Sequence, residues 1–61
     1  MEALKKFRQS IGLTITEMAE KLEVSKSLYE KVETGHRMPS RKFIQKTKKA
    51  YPQFDTNIFF I

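Results

Sequence analysis

The 61-residue sequence predicts an all-α protein, a compact bundle of about five short helices forming one domain over residues 1–61. Three observations carry that reading. Apolar residues recur at helical rather than alternating spacing. Thr14, Ser25 and Ser40 stand where helix N-caps are needed, just ahead of such stretches. Gly12, Gly35 and Pro52 stand where helices would stop.

In chain order, Leu4, Phe7 and Ile11 have i, i+3, i+7 spacing, and Gly12 follows as a stop, which gives helix one. Thr14 and Glu17 have capping-box spacing, and Leu13 and Met18 fit a hydrophobic staple. Met18, Ala19 and Leu22 then supply the buried stripe of a second helix of roughly nine residues ending near Glu23. A very short turn leads to Ser25, a second N-cap, with Val24 and Tyr29 as another staple; Gly35 closes helix three. After the loop "HRMP", Ser40 caps helix four. Phe43, Ile44, Thr47, Ala50 and Tyr51 form its inner face and Arg41, Lys42, Lys46 and Lys49 its outer one, up to Pro52. Asp55 can cap a last turn carrying Ile58, Phe59 and Phe60, a segment too short and too lacking in alternation for a strand.

Composition narrows the function classes. With no cysteine, neither disulfides nor a thiolate zinc site supplements the core, and His36 lacks a second histidine to share a metal. We therefore expect no metal and no cofactor. No apolar run approaches the roughly 20 residues of a membrane span, and no basic-then-apolar leader precedes the first periodic segment, so a soluble cytoplasmic protein is expected, with no membrane partner. An enzyme is not expected: there is no nucleophile with a base, no paired carboxylates and no glycine-rich phosphate loop, and a domain this small has little room for a small-molecule substrate. Twelve Lys and Arg against seven Asp and Glu give a net charge of +5, which favours a polyanionic partner. The distribution sharpens this. Six basic residues and no acid lie between Thr34 and Phe54, whereas five of the seven acids lie between Glu17 and Glu33.

Two helices joined by a tight turn, the second with a polar outer face, on a small basic all-helical chain describe a helix-turn-helix. The stretch "GLTITEMAEKLEVSKSLYEKVETGHRMPS", Gly12 to Ser40, resembles the Cro and phage-repressor class, the XRE family. That pattern runs Gly-Leu-Thr, a polar pair, Glu-Leu-Ala, a Leu, Gly-Val-Ser, Ile-Glu-Asn-Gly and Pro-Ser. The likeness extends from about Leu4 to Phe60 and is gapless through Ser40. It implies a lambda-repressor-like DNA-binding fold in a bacterial or phage-infected cell. The implied recognition helix, about Ser25 to Thr34, would lie in the major groove.

The resemblance places Lys26, Ser27 and Lys31 toward base edges. The helical wheel independently puts them on the arc opposite Tyr29 and Val32. Exposed lysines are ordinarily just solvated, and it is the resemblance that turns these into candidates. Leu28 sits at the seam of the two arcs. It is a candidate for a thymine methyl or for a core or partner contact, and both readings stand. Glu30 faces outward and could accept from cytosine N4, but repulsion from phosphates favours a solvated or ion-paired role. Candidates for the DNA backbone are Ile15 and Thr16 at the start of helix two, Ser25, then Thr34, His36 and Arg37 after helix three, and Arg41 and Lys42 opening helix four. Arg8 and Glu33 correspond to the family's ion pair between helix one and the recognition helix, with Arg8 a further phosphate candidate. Three positions depart from the pattern: Ile15 replaces a polar residue, Glu23 the turn glycine, and Leu28 a small polar residue.

The expected function is therefore sequence-specific binding of a double-stranded operator by a Cro-like transcriptional regulator, a repressor in the simplest case. It would act as a homodimer, with Phe60 and Ile61 as candidate dimer contacts and Ile58 and Phe59 completing the core. The alternative is a protein-interaction module of the same fold, antitoxin-like or an anti-regulator, for which Leu28, Ile15 and outward Glu30 speak.

Overall fold

A computed structural model describes residues 1–60, apart from the side chain of Phe60. It contains helices α1 (Glu2–Ser10), α2 (Ile15–Lys21), α3 (Lys26–Glu33) and α4 (Arg41–Ala50), then a 3-10 helix, Thr56–Phe60. Among the described residues there is no strand, and no helix is long and apolar enough to cross a membrane. The five helical segments agree with the bundle read from the sequence.

Local chemistry explains where the helices start. Thr14 accepts from the Glu17 amide at 3.1 Å while its own amide donates to Glu17 Oε1 at 2.9 Å, a complete capping box. The Thr14 backbone bond is the main reason the Glu17 carboxyl is held below its ordinary value. Ser25 and Ser40 accept from the Leu28 and Phe43 amides, each at 3.1 Å. Asp55 accepts from the Asn57 amide at 3.0 Å and so opens the 3-10 helix.

The first three α-helices end in the same way. Each closes in a Schellman pair, with one residue in the left-handed region: Gly12 at φ 73°, Glu23 at φ 56° and Gly35 at φ 84°. In α2 the Glu23 amide donates to the Glu20 carbonyl at 3.1 Å and the Val24 amide to the Ala19 carbonyl at 3.0 Å. This closure explains why α2 has seven residues rather than about nine: the chain turns at Leu22. Holding Glu23 where its neighbours use glycine costs about 1 kcal/mol.

Inside, Leu4, Met18, Ala19, Leu22, Tyr29, Val32, Phe43 and Phe59 form the core. The Phe43 ring lies 6.1 Å from that of Tyr29 and 6.1 Å, edge-on, from that of Phe59. A second aromatic group joins the chain ends, Phe7 lying 5.4 Å from Tyr51 and 4.7 Å from Phe54. Thr47 is buried because its hydroxyl donates back to the Phe43 carbonyl at 2.8 Å. Two positions on α4 differ from the wheel. Ala50, assigned to the inner face, is exposed, and Lys46, assigned to the outer one, is half-buried and bonded to the α2–α3 turn. Ala50 is the last helical residue and faces an open depression beside Lys21 and Lys46, while Lys46 is drawn in by the Glu23 carbonyl.

Candidate nucleic-acid interface

Helix α3 has two unlike sides. Tyr29, Val32 and Glu33 are buried, whereas Lys26, Ser27, Glu30 and Lys31 are exposed. Leu28 lies between them, half-buried and packed against the core, so its side chain has an intramolecular role whatever else its exposed part touches. An α-helix with its side chains is about 10–12 Å across, which the B-DNA major groove, about 12 Å wide, admits. No acid occupies the first turn of α3. With Leu28 capped by Ser25, the Lys26 and Ser27 amides remain at a positive helix end.

The inner side of α3 is fixed by a charged group. Arg8 Nε donates to Glu33 Oε2 at 3.0 Å, Nη2 to Oε1 at 3.0 Å, and Nη1 to the Leu13 carbonyl at 2.8 Å. One guanidinium thus joins α1, the α1–α2 connection and the end of α3. Its side chain is 11% exposed and that of Glu33 4%, so the pair sits where an unpartnered charge would be costly. Burial pushes the Glu33 carboxyl up, but the Arg8 hydrogen bonds and the nearby charges of Arg8 and Lys5 outweigh it and hold the group below its ordinary value. The Glu33 bond in turn raises Arg8. The buried Tyr29 hydroxyl lies near enough to favour the charged carboxylate yet lacks hydrogen-bond geometry to any described group. Burial, then Glu33, pushes its own ionisation far up, so it stays a neutral phenol.

Of the other candidates, Thr16, Ser25, Thr34, His36, Arg37, Arg41 and Lys42 are exposed. Ile15 is half-buried against the core, so only its backbone amide is free to meet a phosphate. Thr34 is committed internally. Its hydroxyl lies 2.8 Å from the Glu30 carbonyl and 2.8 Å from His36 Nδ1, so both of its short contacts are within the protein. At that corner Arg37 is exposed, and His36 is held in place by Thr34. Arg8 has all three guanidinium nitrogens engaged within the protein, and one N–H on each terminal nitrogen remains for an outside partner. Of the dimer candidates, the Phe60 side chain and Ile61 lie outside the described residues.

Three contributors carried no sequence signal of their role: Tyr29 against the ion pair, the Leu13 carbonyl as a ligand of Arg8, and Lys46 at the turn. Each depends on a contact between distant segments, which periodicity cannot report. Met38, 77% exposed, is the large apolar side chain left in water among the described residues.

Two helices at a tight turn, with an exposed basic outer face and a tethered inner one, form the helix-turn-helix frame. Residues 4–51 match the helix-turn-helix family represented by Cro and the phage repressors. The chain belongs to that XRE-type family. Comparison with curated proteins gives no match, and neither does comparison with solved structures. As an XRE-type protein it is a DNA-binding helix-turn-helix regulator, and α2 and α3 are the two helices that define the motif.

Proposed function

We propose that this XRE-type protein is a Cro-like repressor that binds a two-fold operator as a homodimer and reads it with α3. The observation that carries the reading is the division of α3. Lys26, Ser27 and Lys31 are outward and exposed, while Arg8 bonded to Glu33 fixes the helix from behind. Lysine donates to guanine O6 and N7 and serine donates or accepts, so Lys26 and Ser27 suit base edges; Lys31 reaches either a base or a phosphate. Half-buried Leu28 offers its remaining exposed methyl surface to a thymine. Ser25, Arg37, Arg41 and Lys42, with the amides of Ile15 and Thr16, grip the flanking phosphates. His36 and Thr34 shape that grip, and Arg8 supports it from the inner side.

Size supports the dimer. The protein measures 25 × 24 × 20 Å, so copies whose recognition helices lie one turn, about 34 Å, apart are near neighbours on the duplex. A depression of about 130 Å³ is lined by exposed Met38 and by Val32, Pro39, Ile58 and Phe59, with Arg37 also on its lining, and Phe60 and Ile61 follow Phe59 in the chain. Occlusion of a promoter by such a dimer gives repression without a further domain.

Selection of bound duplexes from a random pool tests this reading. A repressor of this kind yields a pseudo-palindrome with half-sites 10–10.5 base pairs apart, and its affinity falls steeply with salt. Recovery of no common sequence, or binding that barely responds to salt, overturns it and favours a protein-interaction module, for which outward Glu30 is the supporting feature.

A further inference from the structure

We propose that Lys46 is a positioning residue for DNA recognition: reaching across from α4, it clamps the α2–α3 turn at Glu23 and so sets the angle at which α3 meets the groove. The inference rests on the DNA-reading role of α3 given above.

The joint between α2 and α3 is a single left-handed residue. In the corresponding closures of α1 and α3 that residue is glycine, at Gly12 and Gly35, which holds the conformation without strain. At Glu23 the side chain makes the same φ unfavourable, so the joint tends to relax, and any change in its dihedrals swings α3 relative to α2. Leu22 is in the core and Val24 packs against it, but Glu23 between them is exposed and has no such anchor of its own. The turn borders an open depression of about 210 Å³ lined by Lys21, Leu22, Glu23, Lys46, Lys49 and Ala50, so α4 faces the turn there mainly through two lysines. Lys46 Nζ spans this gap and donates to the Glu23 carbonyl at 2.9 Å. Among the described residues it is the hydrogen bond that reaches the backbone of this turn from outside the two helices. The geometry is also selective within α4: Lys42, Lys48 and Lys49 are exposed, whereas Lys46 is half-buried, its stem lying along the protein and its ammonium on a carbonyl. A cation donating to a neutral acceptor makes one of the stronger hydrogen bonds available to a protein, which suits a clamp on a strained joint.

The test compares Lys46→Met, which keeps the stem and removes the donor, with Glu23→Gly and the double variant. Affinity is measured against the duplex selected from the random pool and against random duplex, across salt. Lys46→Met is expected to weaken the selected duplex about five- to tenfold while random duplex changes less than about twofold, with an unchanged salt slope. In the Glu23→Gly background the same substitution is expected to cost less than about twofold, because glycine holds the joint without the clamp. Without DNA, exchange of the Val24 amide, which bonds to Ala19, should accelerate in Lys46→Met and not in the double variant. Equal losses on both duplexes assign Lys46 to general stability, and a salt slope lower by about one assigns it to a phosphate contact. Either result, or unaltered Val24 exchange, overturns the proposal. A wild-type protein that fails to discriminate between duplexes removes the DNA-reading role of α3 instead, with the clamp still decided by the exchange measurement.

Discussion

Replacing Arg8 by Met removes three hydrogen bonds at once and leaves the Glu33 carboxylate buried without its cation. Removing one partner of a buried pair costs about 3–5 kcal/mol when the remaining group stays charged. Glu33 has an escape, because it can take up a proton on folding. Starting from an unfolded value of about 4.3, that uptake costs about 3.7 kcal/mol at pH 7 and about 1 kcal/mol at pH 5, at 1.36 kcal/mol per pH unit. Protonation therefore sets a ceiling on the electrostatic loss that falls with pH. The lost bond to the Leu13 carbonyl adds about 1 kcal/mol at any pH. Arg8→Met should thus destabilise by about 3–5 kcal/mol at pH 7 but only about 2 kcal/mol at pH 5. For a 61-residue chain whose total stability is of order 3–9 kcal/mol, this is at least a third of the total at pH 7, and part of it is regained on mild acidification. Urea unfolding followed by circular dichroism, at both pH values, measures this. An equal loss at pH 5 and pH 7, or a double variant Arg8→Met/Glu33→Met no more stable than Arg8→Met alone, refutes the view that an uncompensated carboxylate is the cause.

Further predictions follow from the same contacts. Because the folded Glu33 value lies below the unfolded one, the stability it supplies is complete above about pH 4.3 and is lost as pH falls through the lower folded value. Glu33→Gln should accordingly flatten the acid limb of the stability curve in a pH series of urea midpoints. Thr14→Ala and Ser25→Ala each remove an N-cap, at a loss of about 1 kcal/mol apiece in thermal or urea unfolding. Glu23→Gly should raise stability by about 1 kcal/mol, whereas Gly35→Ala, which puts a side chain at φ 84°, should lower it by about as much. On DNA, Lys26→Ala should relax preference at one base position, read by competition among single-base variants of the operator. Arg37→Ala and Lys42→Ala should instead weaken all duplexes alike and reduce the salt slope by about one each.

Where the sequence was sufficient, the determining interaction is short-range. The capping box of Thr14 and Glu17, the caps at Ser25 and Ser40, the Asp55 turn and the left-handed glycines are all settled within three or four residues, the distance over which a side chain reaches its own helix end. The outer arc of α3 was legible for a related reason, since helical periodicity alone separates Lys26, Ser27 and Lys31 from Tyr29 and Val32. The pairing of Arg8 with Glu33 came from the family resemblance, since 25 residues separate the two in the chain.

The tertiary structure decided what depends on one segment meeting another. Leu28 stood at the seam of two arcs on the wheel, and only packing against the core shows that it is half-buried. Thr34 looked like a free donor until its hydroxyl was seen to be used by Glu30 and His36. Lys46 belonged by periodicity to the wet face of α4, yet its ammonium meets the Glu23 carbonyl 23 residues earlier in the chain. Local propensity fixes each helix and its ends, because those free energies are local. The angles between helices, and hence which charge is spent holding the fold and which is left exposed, are set by contacts that exist only once the chain has folded.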